Sequence, residues 1–143
     1  MKWVRYQSDG KTFYGILEGD KVKEVYGSPF DSYTESGTLH NYESIQLLPP
    51  VNPPTFYAAG INYEKHVREA ATLLGTEPNI PDKADIGYRA PNALIAHGQP
   101  IVVPKDATEK VQYEAELVVV IGKETKNISE SNALDCVLGY SVG

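Results

Sequence analysis

The sequence predicts a mainly β protein with one short helix, of the α+β class. Two observations lead to this prediction. The first 26 residues alternate apolar and polar side chains in short runs separated by turn residues, which is typical of antiparallel strands. The stretch Val111–Lys123 is rich in β-branched side chains and contains no proline, and it therefore predicts a longer central strand.

The composition argues against several classes of protein. The 143 residues include 13 Lys+Arg and 19 Asp+Glu, for a net charge of −6, so we do not expect a nucleic-acid surface. No apolar run suits a membrane span and no secretory leader is recognisable, so we expect no membrane contact and a cytoplasmic location. The single cysteine, Cys136, cannot form an internal disulfide, and its apolar neighbours favour a buried position.

Three strands are predicted near the N-terminus, at Trp3–Gln7, Thr12–Leu17 and Val22–Tyr26. The dipeptides Asp9-Gly10 and Gly19-Asp20 lie between them, and both are typical of tight hairpin turns. We therefore predict a small antiparallel meander. A sheet of this size buries little apolar surface alone, so it should lean on a larger element.

The stretch from Gly27 to Gln46 is polar and irregular, and it predicts a loop in which His40 is a surface residue without a partner. Four prolines then follow within residues 49–54. Prolines at that density interrupt regular structure. We place the domain boundary there, between a small N-terminal β domain of residues 1–50 and a second domain of residues 51–143.

The second domain is predicted to begin with a short strand, Thr55–Ala59, followed by one helix. Asn62 can cap the start of that helix and Gly75 can end it. Its apolar residues recur every three or four positions and so form one apolar stripe along the helix. They are Val67, Ala70, Ala71 and Leu74.

The remaining elements are predicted from shorter patterns. Residues 76–92 read as a long loop, which is often functional. The elements that follow are two strands at Ala93–Ala96 and Ile101–Val103, a polar turn at Lys105–Lys110, a helical turn at Ala133–Leu138, and a strand that begins at Gly139 and is still open at Gly143.

Glu114 and Glu116 are candidate metal ligands. Alternate side chains of a strand share a face, so both carboxylates point the same way, and the next residues on that face are Val118 and Val120. Two carboxylates beside an apolar surface repel each other, and a hard divalent cation such as Mg²⁺, Mn²⁺ or Ca²⁺ would relieve that repulsion. The alternative is that both lie on the solvated face of an edge strand.

His66 and Glu69 are candidate catalytic residues. Residues three apart on a helix are close enough to interact, and a carboxylate beside an imidazole makes a general base that can activate water. The alternative is an ordinary surface pair. The sequence contains no zinc spacing of His and Cys, no glycine-rich phosphate loop and no Gly-x-Ser-x-Gly turn, so those chemistries have no support.

Four motifs, in this order and approximate spacing, together resemble the fumarylacetoacetate hydrolase family over nearly the whole chain. The N-terminal meander also resembles an extension that many members carry. The motifs are Gly60-Ile61-Asn62-Tyr63-x-x-His66-x-x-Glu69, Pro100-Ile101-Val102-Val103-Pro104, Tyr113-Glu114-x-Glu116 with the apolar run to Gly122, and Gly139-Tyr140-Ser141-Val142.

The resemblance implies a mixed β roll, truncated here at its C-terminus, in a protein that forms a homodimer. It implies that Glu114 and Glu116 bind Mg²⁺ or Mn²⁺, with Ca²⁺ also compatible. A third, acidic ligand follows the Gly-Tyr-x-Val motif in this family as part of an Asn-Asp pair, so it would lie beyond Gly143.

The resemblance also implies roles for four other residues. His66 and Glu69 correspond to a catalytic pair on a mobile lid helix. Arg89 stands where the family often has a lysine, and with Tyr63 we assign it to substrate binding. Arginine keeps the positive charge but cannot easily lose a proton, so a carboxylate-binding role suits it.

The function implied is a divalent-metal-dependent hydrolase that cleaves a carbon–carbon bond in a 2,4-dioxo acid of the acylpyruvate or fumarylacetoacetate type. One alternative is an isomerase or decarboxylase of a related small keto or dioic acid, such as a hydroxymuconate-type dioate or oxaloacetate. The other alternative is an inactive β fragment without catalysis of its own. A resemblance at the level of the fold does not identify the substrate.

Overall fold

The computed structural model describes residues 1–109 and 111–143, and these residues form a mainly β protein, as predicted. One α-helix, α1, spans Glu64–Leu74, and three short 3₁₀ helices span Tyr42–Ser44, Pro91–Ala93 and Glu130–Cys136. The nine strands in the described residues are β1 Trp3–Ser8, β2 Lys11–Glu18, β3 Lys21–Gly27, β4 Tyr33–Asn41, β5 Gln46–Leu47, β6 Phe56–Gly60, β7 Asp85–Arg89, β8 Leu117–Ile121 and β9 Val137–Val142.

The N-terminal strands form one five-stranded antiparallel sheet in the order β4-β3-β2-β1-β5. The three predicted strands are confirmed, each one or two residues longer than predicted. Asp9 and Gly10 join β1 to β2 with positive φ angles of 49° and 73°, as a tight hairpin turn requires. The fully buried side chains of this sheet are Tyr6 and Val22.

The prediction of a loop over residues 27–46 is wrong, because β4 and β5 lie there. Both are edge strands of the sheet, and β4 is exposed along most of its length. Edge strands need few apolar side chains and tolerate charged ones, so β4 lacks the alternation that identified the first three strands.

The prediction that His40 is an unpartnered surface residue is also wrong. His40 lies on β4 opposite Val22 of β3, and its Nε2 lies 3.1 Å from Oε2 of Glu24. The Tyr6 hydroxyl donates to the same carboxylate oxygen at 3.4 Å. Glu24 is only 8% exposed, so His40 and Tyr6 are the polar partners of a buried carboxylate.

By spatial proximity the chain forms two compact units, Met1–Val51 with Ile95–Gly143, and Asn52–Leu94. The domain boundary after residue 50 stays a prediction. In the second unit, β6 pairs with β7 in an antiparallel ribbon, and α1 connects the two strands. β7 lies inside the predicted loop, which is therefore shorter than expected.

The ends of α1 agree closely with the sequence. The helix begins one residue later than predicted, since Tyr63 rather than Asn62 is its N-cap residue. Gly75 ends it in the left-handed conformation, with φ 66°, and the N–H of Thr76 donates to the Ala71 carbonyl at 2.9 Å. Of the predicted apolar stripe, Ala71 is buried, whereas Leu74 is 76% exposed.

The first unit also contains a two-stranded antiparallel ribbon of β8 and β9. The predicted final strand is present as β9, and the predicted helical turn before it is present as the 3₁₀ helix Glu130–Cys136. The predicted strands Ala93–Ala96 and Ile101–Val103 are wrong, because neither stretch belongs to a strand. Val102, in the second stretch, is 83% exposed. The predicted turn at residues 105–110 ends at Lys110, which lies outside the described residues.

No helix of the described chain has the length and apolarity needed to cross a membrane.

Candidate active site

The backbone of Glu116 is held at the end of the β8–β9 ribbon. Strand β8 begins at Leu117, which pairs with Val142. One step further, the N–H of Glu116 donates to the Gly143 carbonyl at 2.9 Å, and the N–H of Gly143 donates to the Glu116 carbonyl at 2.9 Å. The strand predicted over residues 111–123 is thus shorter than expected, and Glu114 lies outside the ladder.

The two faces of β8 differ in exposure. Glu116, Val118 and Val120 are half-buried, so these three residues share one face as predicted. Glu114 is exposed, and its place on the same face stays a prediction. The opposite face is more exposed, since Leu117 is 60% exposed and Ile121 is 54% exposed. In the described residues this sheet has only two strands, too few to bury both of its faces.

The two carboxylates have the chemistry of a hard-cation site but not a complete ligand set. In residues 1–109 and 111–143, neither Glu114 nor Glu116 forms an ion pair or a side-chain hydrogen bond. Their four oxygens suit Mg²⁺, Mn²⁺ or Ca²⁺. Across the same residues, no group of three or more His, Cys, Asp and Glu side chains could hold a metal ion, so two ligands would have to be completed by water, substrate or other groups.

His66 and Glu69 lie on α1 and are both exposed. Glu69 forms an ion pair with Lys65, at 3.8 Å between Oε1 and Nζ. The side chain of His66 forms no hydrogen bond or ion pair within the described part of the chain, so the expected His66–Glu69 contact is not formed in this conformation. Helical spacing places them three residues apart on one side of the helix, and their catalytic roles stay predictions.

Arg89 is the last residue of β7 and pairs with Phe56 of β6. Its Nη1 donates to the carbonyl oxygen of Tyr88 at 3.1 Å, so the guanidinium folds back along its own strand. Gly87 gives it room, because a Cβ at that position would lie 3.1 Å from Nη1. The remaining guanidinium donors lie on an exposed residue and suit a carboxylate ligand.

An aromatic pair that was not predicted from the sequence lies beside Arg89. Tyr57 and Tyr88 face each other across the β6–β7 ribbon, with ring centroids 4.9 Å apart, and both are more than half exposed. A hydrogen bond with the Tyr88 hydroxyl raises the pKa of Tyr57. Only the pairing of β7 with β6 brings the rings together, so no local sequence signal could have revealed the pair.

The six candidate residues divide between the two compact units. Glu114 and Glu116 belong to the first unit, and the four others belong to the second. Those four are Tyr63, His66, Glu69 and Arg89.

Two family descriptions match the chain. Residues 55–143 match the family described as "Fumarylacetoacetate (FAA) hydrolase C-terminal". Residues 1–50 match the family described as "Rv2993c-like, N-terminal".

Curated relatives include enzymes of more than one kind. The chain is 43% identical over 130 residues to the homoprotocatechuate catabolism bifunctional isomerase/decarboxylase of Escherichia coli, an alignment that covers 89% of this chain and 29% of that protein. It is 41% identical over 99 residues to caffeoylpyruvate hydrolase of Neonothopanus nambi, covering 67% and 34% of the two chains. This chain therefore spans about a third of the length of each of these relatives.

A solved structure has the same fold. The 5-carboxymethyl-2-hydroxymuconate delta-isomerase from Mycobacterium smegmatis superposes with a TM-score of 0.83 at 28% identity, over 100% of this chain and 54% of that one.

Proposed function

Because the chain belongs to the fumarylacetoacetate hydrolase family, we propose that the protein is a divalent-metal-dependent hydrolase that cleaves a carbon–carbon bond in a 2,4-dioxo acid. The proposal is carried by one observation. Glu114 and Glu116 lie two residues apart just before β8, and no cation in the described part of the chain neutralises them. Enzymes of this family generally use divalent metals.

Glu114 and Glu116 would hold the ion through their carboxylate oxygens. When bound, Mg²⁺ or Mn²⁺ would supply Lewis-acid polarisation of the substrate carbonyls and stabilise negative charge on the departing group. Ca²⁺ has the same preference for oxygen ligands.

His66 and Glu69 would activate the attacking water. The imidazole accepts a proton from water while the carboxylate orients the ring and stabilises its protonated form. In this conformation Glu69 binds Lys65 at 3.8 Å. Exposed ion pairs of this kind contribute only about 0–1 kcal/mol, so a move of the Glu69 carboxylate from Lys65 to His66 requires little free energy.

Arg89 would bind the substrate carboxylate. A guanidinium presents planar pairs of N–H donors that match the two oxygens of a carboxylate. Within residues 1–109 and 111–143, a single hydrogen bond holds this group to its own strand. Tyr63 lies at the N-terminus of α1 and is 45% exposed, which suits a contact with the same ligand.

The bond changes follow from these roles. The oxygen of water attacks the 4-oxo carbonyl carbon of the dioxo acid, and the bond between that carbon and the neighbouring C3 breaks. The electron pair of that bond stays with the 2-oxo acid part as an enolate, which takes up the proton held by His66. The products are a carboxylic acid and a 2-oxo acid.

An isomerase or decarboxylase is the second candidate. It is favoured by the similarity to the E. coli isomerase/decarboxylase, which covers 89% of this chain. The same residues, without attack by water, could move a proton within an unsaturated dioate or assist loss of carbon dioxide. The third candidate, an inactive β module, is favoured for the isolated chain by its two-ligand set.

One comparison of substrates separates these candidates. The full-length protein is assayed against an acylpyruvate, oxaloacetate and a hydroxymuconate-type dioate, each with Mg²⁺ and with EDTA. We expect Mg²⁺-dependent release of a carboxylic acid and a 2-oxo acid from the acylpyruvate. Exclusive turnover of the dioate or of oxaloacetate would contradict the hydrolase assignment, and activity unaffected by EDTA would contradict the metal site.

We also propose that the protein forms a homodimer, as the family resemblance implies, and that it is located in the cytoplasm. Light scattering on the full-length protein should give twice the mass of one chain. A monomer at all concentrations would contradict this proposal.

A further inference from the structure

Ile61 adopts a backbone conformation that isoleucine strongly disfavours. Its φ angle is 53°, in the left-handed region. In the described residues, the other non-glycine residues with positive φ are Asp9 and Asn127, and short polar side chains tolerate this region. A β-branched side chain there is a genuine outlier, and such strain is concentrated at functional sites.

The backbone on both sides explains why residue 61 must turn in this way. Gly60 is paired with Asp85 in the β6–β7 ribbon. The Tyr63 carbonyl already accepts the N–H of Val67 at 3.1 Å, in the first turn of α1. Only Ile61 and Asn62 remain to redirect the chain from strand to helix, so the left-handed conformation follows from the short connection.

The connection explains the backbone but not the isoleucine side chain. Glycine or asparagine would adopt the same φ with less strain. The Ile61 side chain is 57% exposed, so burial does not offset the strain within the described residues. The side chain must therefore contribute through a contact that this conformation does not contain.

We propose that Ile61 is a specificity-determining residue that contacts the apolar acyl substituent of the substrate. This inference rests on the proposed function and deepens it. Ile61 lies in the segment that leads directly to Tyr63 and His66, and it presents a branched alkyl group that neither donates nor accepts hydrogen bonds. Such a group favours an apolar partner, and the acyl chain is the apolar part of an acylpyruvate.

The test measures kcat/KM of the full-length protein for acetylpyruvate and for an acylpyruvate with a longer, unbranched chain. The quantity compared is the ratio of kcat/KM for the long substrate to that for the short one. We expect Ile61→Asn to lower this ratio about tenfold, the usual effect of losing a small apolar contact. Ile61→Val keeps the branched side chain and should keep most of the ratio.

Leu73→Asn is the matched control, because Leu73 is an apolar residue of the helix that follows Ile61 and is 88% exposed. It should leave the ratio unchanged. Ile61→Gly is a second test variant, because glycine also accepts the left-handed conformation and removes the same alkyl group.

Thermal unfolding tests the strain separately from activity. Ile61→Asn should raise Tm by about 2–4 °C, since the strain is relieved. Asn127→Ile is the reciprocal variant, because Asn127 has nearly the same φ, 55°, and it should lower Tm by a similar amount.

The outcomes distinguish this inference from the proposed function. If the wild-type protein turns over the series but the ratio is unchanged in Ile61→Asn and Ile61→Gly, the inference alone is overturned. An equal loss for both substrates also overturns it, because that would indicate a structural role. If the wild-type protein turns over neither substrate with Mg²⁺, the proposed function itself fails.

Discussion

Glu116 and Gly143 exchange two backbone hydrogen bonds, each 2.9 Å long, one step beyond the end of β8. This pairing fixes the backbone from which one candidate metal ligand projects. In a longer chain that continued the same antiparallel register, the residues after Gly143 would run beside Ala115 and Glu114. The family resemblance puts its third acidic ligand in that segment, so the same pairing would bring that ligand beside Glu114 in the proposed metal site.

His66 should be needed for chemistry rather than for folding. We expect His66→Gln to lower kcat by about 10²- to 10⁴-fold, the usual contribution of a general base, with Tm unchanged because the residue is exposed. Steady-state kinetics on the full-length protein measure this effect. His97→Gln, at another exposed histidine, is the control. A kcat close to that of the wild-type protein would exclude His66 as the base.

Arg89 should act through the shape of its guanidinium as well as its charge. We expect Arg89→Lys to raise KM about tenfold, equivalent to about 1.4 kcal/mol, because lysine loses the bidentate geometry. Arg68→Lys is the matched control, since the Arg68 guanidinium already binds Glu64 at 2.7 Å. Equal KM values for the Arg89→Lys and wild-type proteins would show that bidentate binding is not required.

His40 should stabilise the N-terminal sheet by partnering a buried carboxylate. We expect His40→Ala to lower the free energy of unfolding by about 1–3 kcal/mol, because Glu24 loses its closest partner. Urea unfolding followed by circular dichroism measures the change. The control, His97→Ala, lies on the surface and should change stability by less than about 0.5 kcal/mol. If His40→Ala lowered the free energy of unfolding as little as the control does, the contact between His40 and Glu24 would contribute nothing to stability.

Tyr6 should make the sheet sensitive to alkaline pH. Burial raises the pKa of Tyr6, and the charge of Glu24 and the hydrogen bond to it add to the effect. The unfolded chain ionises this phenol near pH 10. The stability that depends on the neutral phenol is therefore present below about pH 10 and is lost as the pH rises above that value.

The variant Tyr6→Phe tests this dependence. Its stability should fall less steeply than that of the wild-type protein above about pH 10, because one group that must stay protonated is gone. Tyr26→Phe is the control, since Tyr26 is 63% exposed. Thermal unfolding between pH 8 and 11 gives the two slopes, and parallel curves for Tyr6→Phe and the wild-type protein would argue against the assignment.

Elements with strong local signals were predicted correctly from sequence. The first three strands combine alternating side chains with turns at Asp9-Gly10 and Gly19-Asp20, so their formation depends mainly on neighbouring residues. Gly75 likewise ends α1 because glycine adopts positive φ without steric cost. β4 and β7 were missed because they are defined by pairing with β3 and β6, which no local pattern reports.

The opposite error occurred at Ile101–Val103, where a β-branched run predicted a strand that the structure does not form. Intrinsic β preference cannot make a strand without a partner to complete its ladder. For the candidate site, alternation correctly predicted the shared face of Glu116, Val118 and Val120. The pairing with Gly143 and the Lys65–Glu69 contact depend on tertiary structure and side-chain rotamers, and sequence alone could not predict them.

The proposed metal site is tested most directly by the Mg²⁺ dependence of acylpyruvate hydrolysis in the full-length protein and its Glu116→Gln variant. Glutamine keeps the shape of the side chain but removes the negative charge that strengthens binding of a divalent ion. We predict that the wild-type protein is activated by Mg²⁺ and that Glu116→Gln loses this activation, whereas Glu124→Gln, at an exposed glutamate of the same unit, retains it. Undiminished Mg²⁺ activation of Glu116→Gln would contradict the proposed metal site.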